Sequence, residues 1–192
     1  MRLPRTLAVI AMTSAIVLTS CGGGSTSSAS GVPASQWTAN LCTTALNYSN
    51  AVKASESREI GPLLRNATSV GQAKAVLVKF LQSSVHLTDS AISNVQAKGA
   101  PAVDNGASIQ TRVVKAFQSA RSVLQRALAE VQNASTANPQ AFSAAATTIG
   151  TAITSGFAQV QSAFVSIGQL DTSGELAKAG KANSTCRALS RQ

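Results

Sequence analysis

Long amphipathic helical patterns constrain the fold of this chain more than any other feature. Apolar residues recur at intervals of three and four over residues 69–98, 104–133 and 139–168, and a shorter pattern begins near Ser35. This spacing places apolar side chains on one face of a helix. No segment alternates apolar and polar residues as a half-buried strand does. The sequence therefore predicts an all-α fold.

Four long helices joined by short connections predict an up-down-up-down antiparallel four-helix bundle. Ser35 is the expected cap of the first helix, Asp104 or Asn105 that of the third, and Asn138 or Ser135 that of the fourth. The third helix is expected to bury one stripe: Ile109, Val113, Phe117, Ala120, Leu124, Leu128 and Val131. After Asp171, a short last helix is expected to return beside the first.

The N-terminus has the pattern of a secretory signal peptide. Arg2 and Arg5 precede an apolar run that ends at Leu18, and small residues separate this run from Cys21. The run is about half as long as a bilayer-spanning helix requires. We therefore expect three regions: a signal peptide over residues 1–20, a flexible Gly/Ser tether within 21–34, and a helical domain over 35–192.

The segment Leu18-Thr19-Ser20-Cys21 resembles the lipobox of bacterial lipoproteins. The resemblance implies that the Cys21 thiol receives diacylglycerol, that the signal is cut before it, and that Cys21 becomes the new N-terminus. It also implies attachment to the extracytoplasmic face of the cell membrane. The alternative is an ordinary signal cleaved nearby, which would leave Cys21 as a free thiol.

The two remaining cysteines, Cys42 and Cys186, form an even pair in an exported chain. A disulfide between them would tie the first helix to the short last helix. A catalytic thiol is the weaker interpretation, because His86 is the only histidine and faces away from the core stripe.

Charge and composition restrict the partners. The formal charge is +9 for the full chain, and loss of Arg2 and Arg5 leaves +7. A basic exported domain can contact anionic lipid or an anionic envelope polymer. A solvated basic surface is the simpler interpretation, because no run of adjacent Lys or Arg exists. Nucleic acid is not an expected partner, since aromatic residues do not interleave with the basic ones.

The sequence shows no pattern of catalysis or metal binding. It contains no Gly-rich phosphate loop followed by Lys, no pair of histidines and no Cys-x-x-Cys. None of the seven carboxylates falls on an inward stripe, and Asp89 is the one carboxylate at helical distance from His86. We therefore expect a protein that is not an enzyme and uses no metal or cofactor.

Two kinds of surface remain as candidate sites. The fourth helix belongs to a stretch without any ionisable residue between Glu130 and Asp171, which suits either a partner protein or a bland Ser/Thr-rich surface. The aromatic residues offer a second site, because alanine-rich stripes leave room beside them for a small apolar or lipid ligand. These residues, expected either to face a ligand or partner or to fill the core, are Trp37, Phe80, Phe117, Phe157 and Phe164.

Several of these features together are similar to uncharacterised small secreted lipoproteins of actinobacteria. They are the Cys21 lipobox, the tether, Trp37 five residues before Cys42, the Gly99-x-Pro101 break, Gly106 and the terminal Cys186. The resemblance implies a secreted helical domain without known activity, and it supplies no catalytic residues.

The sequence therefore predicts a non-enzymatic, lipid-anchored cell-envelope protein. Its first hypothetical role is an interaction or envelope-organising module that meets another envelope protein. Its alternative role is to bind a small apolar or lipid ligand between the helices.

Overall fold

The protein is all-helical throughout the part that the structure describes. The computed structural model describes residues 31–57, 62 and 65–191, and for residues 156–166 only the helical backbone. No strand occurs in these ranges, where Val32 and Pro101 form an isolated bridge. The helices are α1 (Ala34–Ser55), α2 (Val70–Ala97), α3 (Gly106–Asn133), α4 (Pro139–Leu170), α5 (Glu175–Ala182) and α6 (Ser184–Leu189). The predicted all-α fold is confirmed.

The starts of α2 and α4 follow ordinary capping chemistry. The Ser69 hydroxyl accepts a hydrogen bond from the Gln72 amide at 3.2 Å, and the Asn138 side chain accepts from the Gln140 and Ala141 amides. Each cap satisfies amide groups that have no partner within the helix. The predicted cap at Asn138 is confirmed.

Of the other two predicted caps, Ser35 is wrong, and Asn105 is confirmed in position but not in its side-chain bond. Pro33 stands before the first residue of α1, no side chain caps that helix, and Ser35 lies inside it. Asn105 occupies the cap position of α3 in the left-handed conformation (φ +60°), where its side chain makes no capping bond. Its amide group instead donates to the Leu170 carbonyl at 3.4 Å, which joins the start of α3 to the end of α4.

Successive long helices run antiparallel. The Lys74 ammonium, near the start of α2, donates to the Ala134 carbonyl beyond the end of α3 at 2.9 Å. The Asn105–Leu170 contact relates α3 and α4 in the same way. At the C-terminal end of α2, the Trp37 indole near the start of α1 donates to the Gly99 carbonyl. Each of the first three long helices therefore packs on the next in the chain.

Helix α3 is the central element, because it packs on both α2 and α4. The predicted stripe is buried, apart from a partly exposed Leu128. A second set of α3 side chains is also buried: Val114, Ala116, Val123 and Ala127. A helix with neighbours on two sides needs this wider apolar surface. The prediction of one apolar stripe therefore underestimated how much of α3 is buried.

The apolar interior consists of two clusters. The first core cluster lies where α1 meets α2 and α3, and it includes Trp37, Ile92, Val95, Val113 and Phe117. The second core cluster lies among α2, α3 and α4 and includes Leu81, Leu124, Val131 and Ile149. The first cluster is therefore the one that depends on α1.

Gly106 allows α3 to start close against the α2–α3 connection. A Cβ at this position would stand 1.9 Å from the Pro101 carbonyl oxygen, a distance that no real contact permits. Pro101 is itself buried and forms the bridge with Val32. The absence of a side chain at residue 106 thus lets three chain segments meet at this point.

The C-terminal segment forms two short helices rather than the one that was predicted. Asn183 separates α5 from α6, and its side chain accepts a hydrogen bond from the Cys186 amide at 3.1 Å. The local preference of Asn for a cap explains the break. We call α5 and α6 together the C-terminal hairpin, and both of its helices pack on α1.

The predicted disulfide is present. Cys42 of α1 and Cys186 of α6 are bonded, with Cα atoms 5.1 Å apart and a sequence separation of 144 residues. The bond therefore fixes the C-terminal hairpin to α1, as the cysteine pairing predicted.

Replacing both cysteines, Cys42→Ser with Cys186→Ser, should lower the free energy of unfolding by about 4–5 kcal/mol, since a closed loop of this length restricts the unfolded chain. Equilibrium denaturation with guanidinium chloride measures the loss. A matched control is the unsubstituted protein after reduction and alkylation. An unchanged midpoint in both samples would contradict this assignment of stability.

Candidate functional site

The structure places the disulfide, the chain entry and the C-terminal hairpin together. We call this region the disulfide end: the first turns of α1, the α2–α3 connection, the end of α4, and the C-terminal hairpin. Leu176 of α5, Ile167 and Leu170 of α4, and Leu41 of α1 all belong to or pack on the first core cluster. The start of α1, the α2–α3 connection and the region from the end of α4 to α5 thus share one apolar centre.

Trp37 is an interior residue of this end. Its side chain is 3% exposed, and its indole N–H donates to the Gly99 carbonyl at 3.0 Å. The space beside it, lined by Leu41, Thr44 and Val95 among others, is about 10 Å³, room for one water at most. Trp37 therefore fills the core and satisfies its polar atom there, and it offers no stacking surface to a ligand.

Phe117 is buried as well and contacts Tyr48 edge-to-face, with ring centroids 6.1 Å apart and an interplanar angle of 84°. Phe80 is half-buried against the second core cluster. The side chains of Phe157 and Phe164 lie outside the described residues. The proposed group of aromatic ligand contacts is therefore divided: Phe117 and Trp37 belong to the first core cluster, and Phe80 packs on the second.

A small polar group accompanies Tyr48. Its hydroxyl lies 3.2 Å from the Thr88 hydroxyl, which also donates to the Ser84 carbonyl at 2.8 Å. Thr88 is fully buried and Ser84 nearly so. Burial raises the pKa of Tyr48 above its ordinary value, and the hydrogen bond with Thr88 opposes this shift. The group satisfies its polar atoms within the helices.

An open groove of about 430 Å³ lies between the end of α3 and the start of α4. Its walls include Ala129, Asn133, Ala145 and Ile149, with Glu130 as its one charged lining residue. The groove is shallow and faces solvent, and a single exposed carboxylate supplies neither a base held in an apolar site nor a paired acid.

The ionisable residues differ from the sequence-based expectation at two positions. Asp89 forms an ion pair with Arg121 of α3 rather than a contact with His86, which is exposed. Both partners are about two-fifths exposed, so the pair contributes little to stability. Asp171 is 6% exposed, although no carboxylate was expected inside.

Asp171 has a structural role that its position after α4 explains. One of its carboxylate oxygens accepts from the Ala177 amide of α5 at 3.0 Å, and the other accepts from the Ser173 hydroxyl at 3.2 Å. It therefore holds the turn between α4 and α5. The Asp-Thr-Ser-Gly sequence, rich in residues that bond to nearby backbone, was the available signal.

The described residues contain no group of three metal-ligating side chains. Within the same part of the chain, none of the helices combines the length and apolarity that a bilayer crossing needs. Cys21 and the apolar run before it lie outside the described residues. The lipidation site therefore stays a prediction.

The exposed surface of α4 is the remaining candidate. The exposed residues of its first half lack charge and, apart from Gln140, are small: Gln140, Ala141, Ala144, Thr147, Thr148, Thr151, Ala152, Thr154 and Ser155. We call this set the α4 face. Arg112, Lys115 and Arg126, by contrast, are exposed along α3, as the sequence predicted.

Titration of the single tyrosine tests the burial of Tyr48. The tyrosinate absorbance should rise with a midpoint above 10 in the folded protein and near 10 in denaturant, since burial disfavours the charged phenolate. The pKa of Tyr48 is higher in the folded protein than in the unfolded chain. The stability that depends on the neutral, buried phenol is therefore complete below about pH 10 and is lost as the pH rises through the folded pKa.

The Tyr48→Phe variant is the control for that loss. It should retain the ring contact with Phe117 and show a smaller decline of stability at alkaline pH. A tyrosine midpoint near 10 in the native protein would show that Tyr48 is solvated.

The chain matches no protein-family model, no curated protein and no solved structure. No residue role is therefore transferred to it from another protein.

Proposed function

We propose that this protein is a non-enzymatic interaction module, attached by a lipid on Cys21 to the extracytoplasmic face of the cell membrane. The observation that carries the interaction role is the α4 face, an uncharged surface on a helix that packs on α3. The partner that suits it is an apolar or similarly uncharged helix of another envelope protein.

The cysteines support the anchor. The chain has three cysteines, and the disulfide uses Cys42 and Cys186. Cys21 is then the one cysteine without a partner in the chain, and a free thiol is unusual in an exported protein. Lipidation at the lipobox-like segment accounts for it.

The same proposal includes closure of the long helices into an up-down-up-down four-helix bundle. Successive pairs from α1 to α4 run antiparallel, as the contacts at their ends require. Ile167 and Leu170 of α4 pack on the first core cluster, and so do Leu41 and Tyr48 of α1. Shared packing at this end supports placing α1 beside α4.

The α4 face is suited to docking because its threonine hydroxyl groups already have partners. The threonine hydroxyls at 147, 148, 151 and 154 each donate to the carbonyl four residues earlier, at 2.9–3.2 Å. A partner can cover such a threonine without leaving its proton unsatisfied. The surface offered is then mainly methyl groups of threonine and alanine.

Small side chains also allow close approach. Alanine and threonine lose little side-chain entropy when another helix covers them, and their short reach lets two helix backbones come near each other. Lysine and glutamate, which commonly prevent such contacts, do not occur between residues 130 and 171. The face is thus chemically matched to a protein surface rather than to an ionic ligand.

Charged substitutions on the α4 face should reduce capture of the partner. Thr147→Glu with Thr151→Arg places two charges on this face without changing the net charge. If the face is an interface, covering these charges should weaken binding by at least about tenfold. Chemical cross-linking in membranes, followed by purification and mass spectrometry, measures the captured partner.

The control is Gln118→Glu with Ser122→Arg, at the same spacing on an exposed part of α3. It should capture the partner as the unsubstituted protein does. Recovery of the unsubstituted protein alone, or equal capture by both double variants, would contradict a role for the α4 face.

A further inference from the structure

We propose that the disulfide end carries a cationic surface that lies on anionic lipid headgroups. The surface consists of Lys98 after α2 and of Lys178, Lys181, Arg187 and Arg191 in or just beyond the C-terminal hairpin. We call it the basic foot. This inference rests on the lipid anchor proposed at Cys21 and adds to it the orientation of the domain and the kind of lipid that it faces.

The path of the chain places this end nearest the membrane. The backbone of Val32 donates to the Ala100 carbonyl at 2.9 Å and accepts from the Ala102 amide at 2.7 Å, so the tether joins the domain at the α2–α3 connection. Ten residues separate Cys21 from Val32. Fully extended, they span at most about 35 Å. The anchor therefore keeps the disulfide end within that distance of the bilayer surface.

The disulfide brings the hairpin to the same end. Cys186 is bonded to Cys42 in the third turn of α1. A Cβ at Gly180 would stand 3.9 Å from the Thr38 methyl group, so α5 also passes close to the start of α1. Leu176 of α5 reaches the first core cluster, which also contains Trp37. The hairpin is thus fixed beside the first turns of α1, close to the point where the tether enters.

The cations of the hairpin are exposed and grouped. The Arg187 guanidinium donates to the Lys181 and Ala182 carbonyls at 2.8 and 2.9 Å, which holds this charge at the corner between α5 and α6. Lys178 lies one turn before Lys181 on α5, and Arg191 follows the end of α6. Two short helices thereby present four positive charges within fourteen residues.

These charges are not neutralised by neighbouring acids. In the described ranges, no carboxylate lies within ion-pair distance of the four hairpin cations or of Lys98. The exposed carboxylates of this end are Asp104 and Glu175. Asp171 is buried, and its oxygens accept from Ala177 and Ser173. The disulfide end therefore combines the five cations of the basic foot with two exposed carboxylates.

Anionic lipid is the partner that fits this placement. The attraction of a basic residue to an anionic leaflet falls off within a Debye length, about 8–10 Å at moderate salt. Only cations near the surface contribute, and these five lie on the end of the domain that the tether joins. Lys79 and Arg126 lie 18 and 20 residues from this end along α2 and α3, about 27 and 30 Å, which is too far to share this contact.

Lysine footprinting of the full-chain protein, isolated from membranes and placed on vesicles, tests the basic foot. An amine-acetylating reagent is applied on phosphatidylcholine vesicles and on vesicles that also contain phosphatidylglycerol. Lys98, Lys178 and Lys181 should react at least about threefold more slowly on the anionic vesicles, and Lys79 should react equally on both. About 1 M salt should remove the difference, because the Debye length falls to about 3 Å.

A pair of matched variants makes the footprint specific. Lys178→Gln with Lys181→Gln should abolish the protection of Lys98, whereas Lys79→Gln with Arg126→Gln, which removes the same charge, should preserve it. Equal labelling of Lys98, Lys178 and Lys181 on both kinds of vesicle would overturn the proposal. Equal or stronger protection by soluble polyphosphate without vesicles would also overturn it, in favour of an anionic polymer.

The intact mass of the same sample separates the two proposals. An acylated Cys21 together with an absent footprint would overturn the basic foot and leave the anchor in place. An unacylated Cys21 would overturn the anchor, and the same vesicle comparison on that protein would still decide whether these lysines bind anionic lipid.

Discussion

The Cys42–Cys186 disulfide is the constraint on which the arrangement of the chain ends depends. The C-terminal hairpin is short, and neither α5 nor α6 is long enough to be stable as an isolated helix. The bond holds both against α1, and Leu176 and Asp171 add an apolar contact and a bonded turn. Once α1 is fixed in this way, the bonds of Val32 and Trp37 to the α2–α3 connection define where the chain enters the domain.

The rest of the molecule is organised around α3. This helix lies between α2 and α4 and is buried on two sides, so the second core cluster is formed by three helices without α1. The first core cluster, by contrast, includes Trp37 and is covered by the disulfide-linked segment. The protein thus combines a core of successive helices, α2 to α4, with a disulfide end that is assembled from segments distant in sequence. The proposed lipid contact lies at the disulfide end, and the proposed protein contact lies on the α4 face.

The sequence predicted the helices well because their signal is local. Periodicity located the long helices, Pro139 and Asn138 marked the start of α4, and parity paired the cysteines. The errors concern what local pattern does not encode. The second buried stripe of α3 depends on which helices surround it. Asn105 donates to the end of α4 instead of capping its own helix, which depends on where α4 ends. The burial of Asp171 depends on the return of α5. The basic foot that we propose was not apparent from the sequence either, because Lys98 lies 80 residues before the nearest hairpin cation, and the packing of the disulfide end brings the two regions together.

Hydrogen exchange with and without reductant tests the central claim most directly: that the disulfide end is a unit built on a helical core that stands without it. After reduction, amides of α5, α6 and the first turns of α1 should exchange much faster, since their contacts depend on the bond. Amides of α3 between Ala120 and Val131 should keep most of their protection, because the second core cluster holds them. Uniform loss of protection across all helices, or unchanged exchange in the hairpin, would contradict this account.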